Sequence, residues 1–256
     1  MQPFVSEFLG TTALVLIGNC ASASTLLARS RGENGSWLTV CLGWSFAMFV
    51  AIWIAVPSGA HLNPAVTASL AATGDLPAAS LWKHISAQLL GAFVGAVVAA
   101  IVFLPHWRLT NEPARVQGSL FSAAPVHAPL ANFAAVFVAT FVYVFAVHAI
   151  IANPWQVPVG YGLEDGDAYT PAGAWRVQWW SFSGAVATVL GGVMLGMGAS
   201  SGGSINPARD IAGRVVHALM PFAGKGRTEW GLLWIPVVAP ILGAIAAASA
   251  AKAVGL

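Results

Sequence analysis

Six stretches of the chain are apolar over about twenty residues, the length needed to cross a hydrocarbon core of roughly 30 Å. They run over 5–27, 37–56, 82–104, 130–152, 179–199 and 231–253. The segments between them, 29–36, 105–129, 153–178 and 221–230, collect Gly, Pro and charged residues and read as loops. Two apolar pieces are left over, 63–73 and 206–220, and both are too short to span. Each opens with Asn-Pro-Ala: Asn63-Pro64-Ala65 and, 143 positions later (206 − 63), Asn206-Pro207-Ala208. Asn is a strong N-cap and Pro suits the first helical position, so each tripeptide predicts a helix start. Lipid cannot satisfy the free N–H groups of such a start, which must be buried in protein or face a watery path.

The order is three spans with a half-helix after the second, then three spans with a half-helix after the fifth. Three is odd, so the second half runs through the membrane in the opposite sense to the first. This predicts an all-α membrane protein of six transmembrane helices and two re-entrant half-helices. It would be one domain over 1–256, built as inverted repeats of about 1–128 and 129–256, with the half-helix tips meeting near the midplane.

Composition supports a membrane protein. Hydrophobic residues make up 57% and charged residues 8% of the chain, with a mean hydropathy of +0.75, where soluble domains carry roughly 25% charged residues. The net charge of +2 is scattered and implies no nucleic-acid partner. Cys20 and Cys41 fall in apolar segments and read as buried filler, without a disulfide or a metal thiolate. The N-terminus lacks a basic region, so 6–27 reads as a retained span and not a cleaved signal. No nucleophile with a base, metal-ligand cluster or phosphate loop is legible, so neither an enzyme nor a cofactor is expected.

The candidate chemistry is therefore at the two helix starts. Each presents the equivalent of about half a positive charge, and both aim at one spot, which disfavours cations. With the side-chain oxygens of Asn63 and Asn206 capping their own helices, the amide nitrogens are free to donate to a passing solute oxygen. Arg209 adds a full positive charge, costly within a span unless it faces a polar path. Glu7 is a carboxylate in the first span and needs partners. His61 has two readings, a donor lining the path or a packed loop histidine.

The run Ser58-Gly59-Ala60-His61-Leu62-Asn63-Pro64-Ala65-Val66-Thr67, with Glu7-Phe8-Leu9-Gly10-Thr11 before it and Asn206-Pro207-Ala208-Arg209-Asp210 after it, resembles the pore loops and first span of the major intrinsic proteins, the aquaporins and glycerol facilitators. The resemblance covers essentially the whole chain. It implies a passive channel for small uncharged solutes that excludes protons and ions, with Glu7 holding the first re-entrant loop. It also implies a homotetramer with one pore per subunit, set in a bilayer that would be the bacterial inner membrane. Asp210, Arg214 and Pro236-Val237 match glycerol facilitators more than water channels, and Asp210 would accept from loop amides and draw Arg209 aside. Glycerol, with water, is the expected cargo. Urea, metalloid hydroxides or a neutral small acid are alternatives, as are a water-selective channel and, from a different class, an ion-coupled transporter.

The selectivity filter has two registers at two of its positions. The second-span residue is Trp44, or Gly43 by an ungapped count; the fifth-span residue is Met194 or Gly198. Gly203 stands three before Asn206, where glycerol facilitators carry an aromatic, and implies a wider slot. Two features depart from the family pattern. Ala139 stands near where a second buried glutamate is expected, and Arg29, Arg31, Arg108, Arg115, Lys225 and Arg227 fall on the side that the family orientation makes external, against the positive-inside rule. Gly91, Gly95, Ala99 and Ala100 would allow close helix contacts within or between subunits. The acidic Glu164, Asp165 and Asp167 lack regular calcium-ligand spacing, so 153–178 reads as a solvated linker.

Overall fold

The computed structural model describes residues 1–152, 171–221 and 224–256, with 171–180 described by backbone only. In chain order the helices are α1 (Pro3–Leu26), α2 (Trp37–Ala55), α3 (Pro64–Thr73), α4 (Ala78–Val102), α5 (Leu104–Trp107), α6 (Pro113–Leu120), α7 (Pro129–Ala152), α8 (Pro171–Gly196), α9 (Pro207–Leu219) and α10 (Trp234–Ala253). Among the described residues there is no strand. Among the described residues, five segments are long and apolar enough to cross a membrane: α1, Trp37–Ser58, α4, α7 and Trp230–Ala253. The sixth expected span is α8, 26 residues long. It begins at Pro171 and so takes in the end of the segment read as a linker; Glu164, Asp165 and Asp167 lie outside the described residues.

The two Asn-Pro-Ala pieces are short helices, as the caps predict. At 1.5 Å per residue, α3 is about 15 Å long and α9 about 20 Å, half a membrane each. Their far ends are closed alike. The Lys252 ammonium donates to Thr73 O at the end of α3 (2.8 Å), and Lys225 donates to His217, Ala218 and Met220 carbonyls at the end of α9 (2.8–3.0 Å). Cations placed there complement the negative helix ends, which gives two of the basic residues a structural task unrelated to membrane orientation.

The half-helices exchange partners: α3 packs against α10 and α9 against α4, while α1 packs on α2 and α4, and α7 on α10. Glycines set the spacing. A Cβ on Gly91 would meet Phe8 O at 2.4 Å and one on Gly95 would meet Thr12 O at 2.6 Å, so these small residues serve the α1–α4 contact within the subunit. In the second half, a Cβ on Gly243 of α10 would meet Phe137 O of α7 at 2.5 Å. Gly91 against Phe8 is thus repeated by Gly243 against Phe137, which makes Val136 the counterpart of Glu7 and Pro240 the counterpart of Gln88. Thr11 and Thr140, each four residues after the paired positions, are both buried and give the same register. The missing glutamate position is therefore Val136, not Ala139.

The segment 105–129 is not a plain loop. It contains α6 and buries Trp107, Val116, Leu120 and Phe121 against α1, α4 and α9. Its approach to α9 is close enough that a Cβ on Gly213 would meet Leu120 O at 2.0 Å.

Gly91→Val should lower the thermal midpoint of the detergent-solubilised protein by an amount matching overpacking, on the order of 1–3 kcal/mol. Val94→Leu, on the exposed side of α4, should leave the midpoint within about 0.5 kcal/mol of wild type. Equal effects from the two substitutions would refute the packing assigned to α1 and α4.

Candidate pore

Each Asn-Pro-Ala asparagine does two things at once. Asn63 Oδ1 accepts from Ala65 N (2.9 Å), and Asn206 Oδ1 accepts from Ala208 N (3.1 Å) and Arg209 N (3.4 Å), capping α3 and α9. Asn63 Nδ2 donates to Ile205 O and Asn206 Nδ2 to Leu62 O, both at 2.9 Å, so each amide also holds the opposite loop. The sequence reading left both amide nitrogens wholly to a solute. The structure commits one N–H of each, and a primary amide has two, so one donor per asparagine is left for the path.

Both asparagines line a narrow cavity of about 30 Å³ with Trp44, Met194, Gly203 and Arg209. Leu14, Met48, Tyr143, Leu190 and Ile205 complete its wall. The register alternatives separate here. The Trp44 indole is buried, donates through Nε1 to Ser22 Oγ at 3.2 Å, and fits because α1 has Gly18 beneath it: a Cβ there would sit 2.4 Å from the ring. Gly43 faces α1 instead, where a Cβ would meet Ala21 Cβ at 2.2 Å. In the fifth span Met194 lines the cavity and Gly198 does not; Gly198 packs behind it, near Trp37.

Gly203 has φ +71°, a backbone that favours glycine, and a Cβ on it would lie 2.4 Å from Met194 Sδ. The thioether therefore occupies the space that a side chain at 203 would take. The slot is not widened by Gly203, because a residue from α8 fills it. Trp37 Nε1 donates to Met194 O at 3.0 Å and fixes that turn of α8. His61 does not line the cavity: it stacks on His84 with ring centroids 4.5 Å apart and reaches Thr67 Oγ1 through Nδ1 at 3.2 Å.

The Arg209 guanidinium is buried, with its central carbon 5.0 Å from the Trp44 ring centroid, and it donates through an amino nitrogen to Ser122 Oγ. Its Nε has no hydrogen-bond partner among the described residues. Asp210 is fully buried 3.6 Å from Arg209, but its closer ion partner is Arg214, whose Nε donates to Oδ1 at 2.9 Å. Oδ2 accepts from Ser122 N at 3.0 Å, so the amide that Asp210 takes belongs to the 105–129 connection and not to its own loop. Arg214 in turn donates to the carbonyls of Thr228 and Glu229, each at 2.7 Å. Two guanidinium groups share one carboxylate, leaving a net positive charge beside the cavity.

The first loop is anchored by Glu7, whose carboxylate accepts from Leu62 N, Ser58 Oγ and Gln88 Nε2 (2.5–2.7 Å). The anchor holds a strained backbone: Ala60 and Leu62 have φ of 54° and 56° without being glycine. Gln88 was absent from the sequence reading, although a buried amide in the third span is the same kind of signal as Glu7. Tyr143 and Ser122 carried no comparable signal.

Glu7→Ala should cost about 3 kcal/mol, since it leaves Leu62 N without an acceptor in the interior and takes one acceptor each from Ser58 Oγ and Gln88 Nε2, which keep Ala55 O and Thr67 Oγ1. Val136→Ala, at the matching position, should cost about 1 kcal/mol as a small loss of packing. Thermal unfolding of both variants measures the difference, and equal losses would refute the anchoring role.

Comparison with known proteins agrees with this geometry. The family model described as "Major intrinsic protein" matches residues 1–164 and 180–250. A probable glycerol uptake facilitator protein of Thermotoga maritima is 33% identical over 250 residues, covering 97% of each chain. A glycerol uptake facilitator protein of Bacillus subtilis is 33% identical over 244 residues, covering 95% of this chain and 81% of its own. Among solved structures, the aquaglyceroporin from Plasmodium falciparum superposes with a TM-score of 0.80 at 24% identity, over 98% of this chain and 96% of its own, a likeness of fold.

Proposed function

The chain belongs to the major intrinsic protein family, and from that premise we propose that it is a passive channel for small uncharged solutes, glycerol first, with water following. The observation that carries the proposal is a single cavity lined both by the donors of Asn63, Asn206 and Arg209 and by the apolar surface of Trp44, Met194 and Leu190. A polyol has hydroxyls for the donors and a carbon chain for the apolar lining. The relatives named as glycerol uptake facilitators support the same cargo.

Asn63 and Asn206 are the central donors. A hydroxyl that accepts from both remaining N–H groups must point its own protons away from the centre, which interrupts a proton wire. Arg209, with its charge only partly offset by the shared Asp210, and the two half-helix dipoles repel cations, the established account of aquaporin-type exclusion. Trp44, Met194 and Gly203 shape the filter. Pro64, Ala65, Pro207 and Ala208 start the half-helices. Glu7 and Asp210 support the loops, and His61 packs the first loop from outside the cavity.

The two inverted repeats, about 1–128 and 129–256 in a single channel domain, are supported by the crossed asparagine bonds and the exchanged half-helix partners. Assembly as a homotetramer is supported by family membership and by apolar side chains exposed on the subunit, such as Phe46 (65%) and Leu130 (81%). Residence in a bacterial cell membrane is supported by the bacterial relatives. The protein acts on no bond of its cargo: the site offers amides, carbonyls and a guanidinium for transient hydrogen bonding. One observation favours a second reading, a water-selective channel: the cavity of about 30 Å³ is close to the share of a single water.

Stopped-flow light scattering on proteoliposomes decides between them. Wild-type vesicles should reswell rapidly in glycerol without proton leak. Met194→Ala, which removes the thioether from the cavity wall, should raise glycerol permeability about fivefold, equivalent to about 1 kcal/mol. Gly203→Phe, strained at φ +71° and in collision with Met194, should abolish it. Rapid water shrinkage with no glycerol entry in either wild type or Met194→Ala would sink the polyol reading.

A further inference from the structure

A second cavity, of about 210 Å³, lies behind the second pore loop. Ser201 and Ser204 line it, whereas their neighbours Gly203 and Ile205 line the pore, so the loop separates the two spaces. Val136 of α7 and Ile235 and Pro236 of α10 form an apolar wall. This is the region that corresponds to the anchor of the first loop, and the anchor's two residues have been replaced by Val136 and Pro240. The hydroxyls of Ser201 (3% exposed) and Ser204 (4% exposed) have no hydrogen-bond partner among the described residues. Buried hydroxyls left unpaired cost about 1–3 kcal/mol each, and two of them on one wall call for a guest able to donate and accept.

The charges nearby define that guest as neutral. Arg214 reaches the wall, but its charge is offset in part by Asp210 at 2.9 Å and its donors are taken by Thr228 and Glu229 carbonyls. Glu229, exposed at the mouth with Val126 and His127, adds a negative charge that discourages anions. Hydroxyl groups and apolar side chains lining one space repeat the mixed chemistry of the pore. At about 30 Å³ per water, the space holds a three-carbon polyol and several waters.

We propose that this cavity is a second, off-pore binding site for a small neutral polyol, held by Ser201 and Ser204. The choice of a polyol over other neutral solutes rests on the reading of the chain as a polyol channel. Ser122 also lines the cavity, accepts from Arg209, and donates through its N–H to Asp210, so the guest sits one residue from the filter arginine.

The test places a reporter in the wall. In full-length protein with Cys20→Ser and Cys41→Ala, Ser204→Cys is labelled with methyl methanethiosulfonate in proteoliposomes, and the rate is read by intact-protein mass spectrometry. Glycerol at twice its dissociation constant should slow labelling about threefold, as simple occupancy requires, while sucrose at equal osmolality, too large for the cavity, should not. Val136→Phe, which fills the apolar wall, should remove the protection and leave glycerol reswelling intact. Ser201→Cys serves as reporter if Ser204→Cys does not fold. Equal rates in glycerol and sucrose, or undiminished protection in Val136→Phe, overturn the site. Protection in vesicles that pass no glycerol would sustain the site as a polyol pocket and sink the channel reading instead.

Discussion

Two carboxamides join the halves of this protein. Each asparagine oxygen closes the start of its own half-helix, and each nitrogen reaches across to a carbonyl of the other loop, Ile205 O or Leu62 O. Two helix starts with like partial charges repel when brought tip to tip. Two hydrogen bonds in a low-dielectric interior, together with lysines at both far ends, offset that repulsion. Without the crossed bonds nothing ties the two capped helix starts to each other, and the filter residues, all placed relative to these tips, lose their frame. The same geometry limits what the site offers a solute: one N–H from each asparagine, both pointing into a single narrow space.

The two loops reach the same endpoint by different physics. The first holds non-glycine residues in the left-handed region and needs the Glu7 carboxylate to fix them. The second has Gly203 where the first has Ala60, and Ile205, the counterpart of Leu62, is free of positive φ. Left-handed backbone costs a non-glycine residue roughly 1–2 kcal/mol, so the second loop starts with less strain and Ile205 N is satisfied within the loop by Gly203 O at 3.0 Å. Glycine thus does locally what the first half does with a buried acid. Arg209 and Asp210 then fasten α9 to the 105–129 connection through Ser122, while Arg214 ties Asp210 to the carbonyls of Thr228 and Glu229. A buried carboxylate between two guanidinium groups is tolerable because further donors and acceptors surround it.

Much of this was legible in the sequence because it follows from one-dimensional constraints. Span length, the caps of α3 and α9 and the odd number of helices per half all reduce to counting, and they led to the architecture and to Asn63 and Asn206, which line one cavity with Arg209. What counting left open or misplaced were statements about facing. Trp44 and Gly43 differ by one residue, hence by about 100° around a helix, and only the groove left by Gly18 shows which of them turns inward. Ala139 was taken for the counterpart of Glu7 from family pattern, whereas contacts between α7 and α10 assign Val136. The burial of 105–129 was hidden because its apolar residues are few and spaced irregularly; their burial comes from covering α9.

The exchange between Met194 and Gly203 is the least visible feature in one dimension and has the largest consequence for selectivity. Glycine at 203 read alone implies a wide filter. Met194, nine residues earlier and on another element, reverses that implication by filling the same volume, so a filter position must be judged by the space filled and not by the residue that usually fills it. The substitution is not neutral in character. An aromatic ring on a loop has two torsions and a rigid face, while a thioether on α8 has three and a soft, polarizable end. Its backbone is held by Trp37, so adjustment falls to the side chain. A cavity of about 30 Å³ at rest is then compatible with a solute several times that size, provided Met194 swings as the solute passes. Permeability to polyols would depend on the rotamers of one methionine, with the asparagines and Arg209 fixed around it.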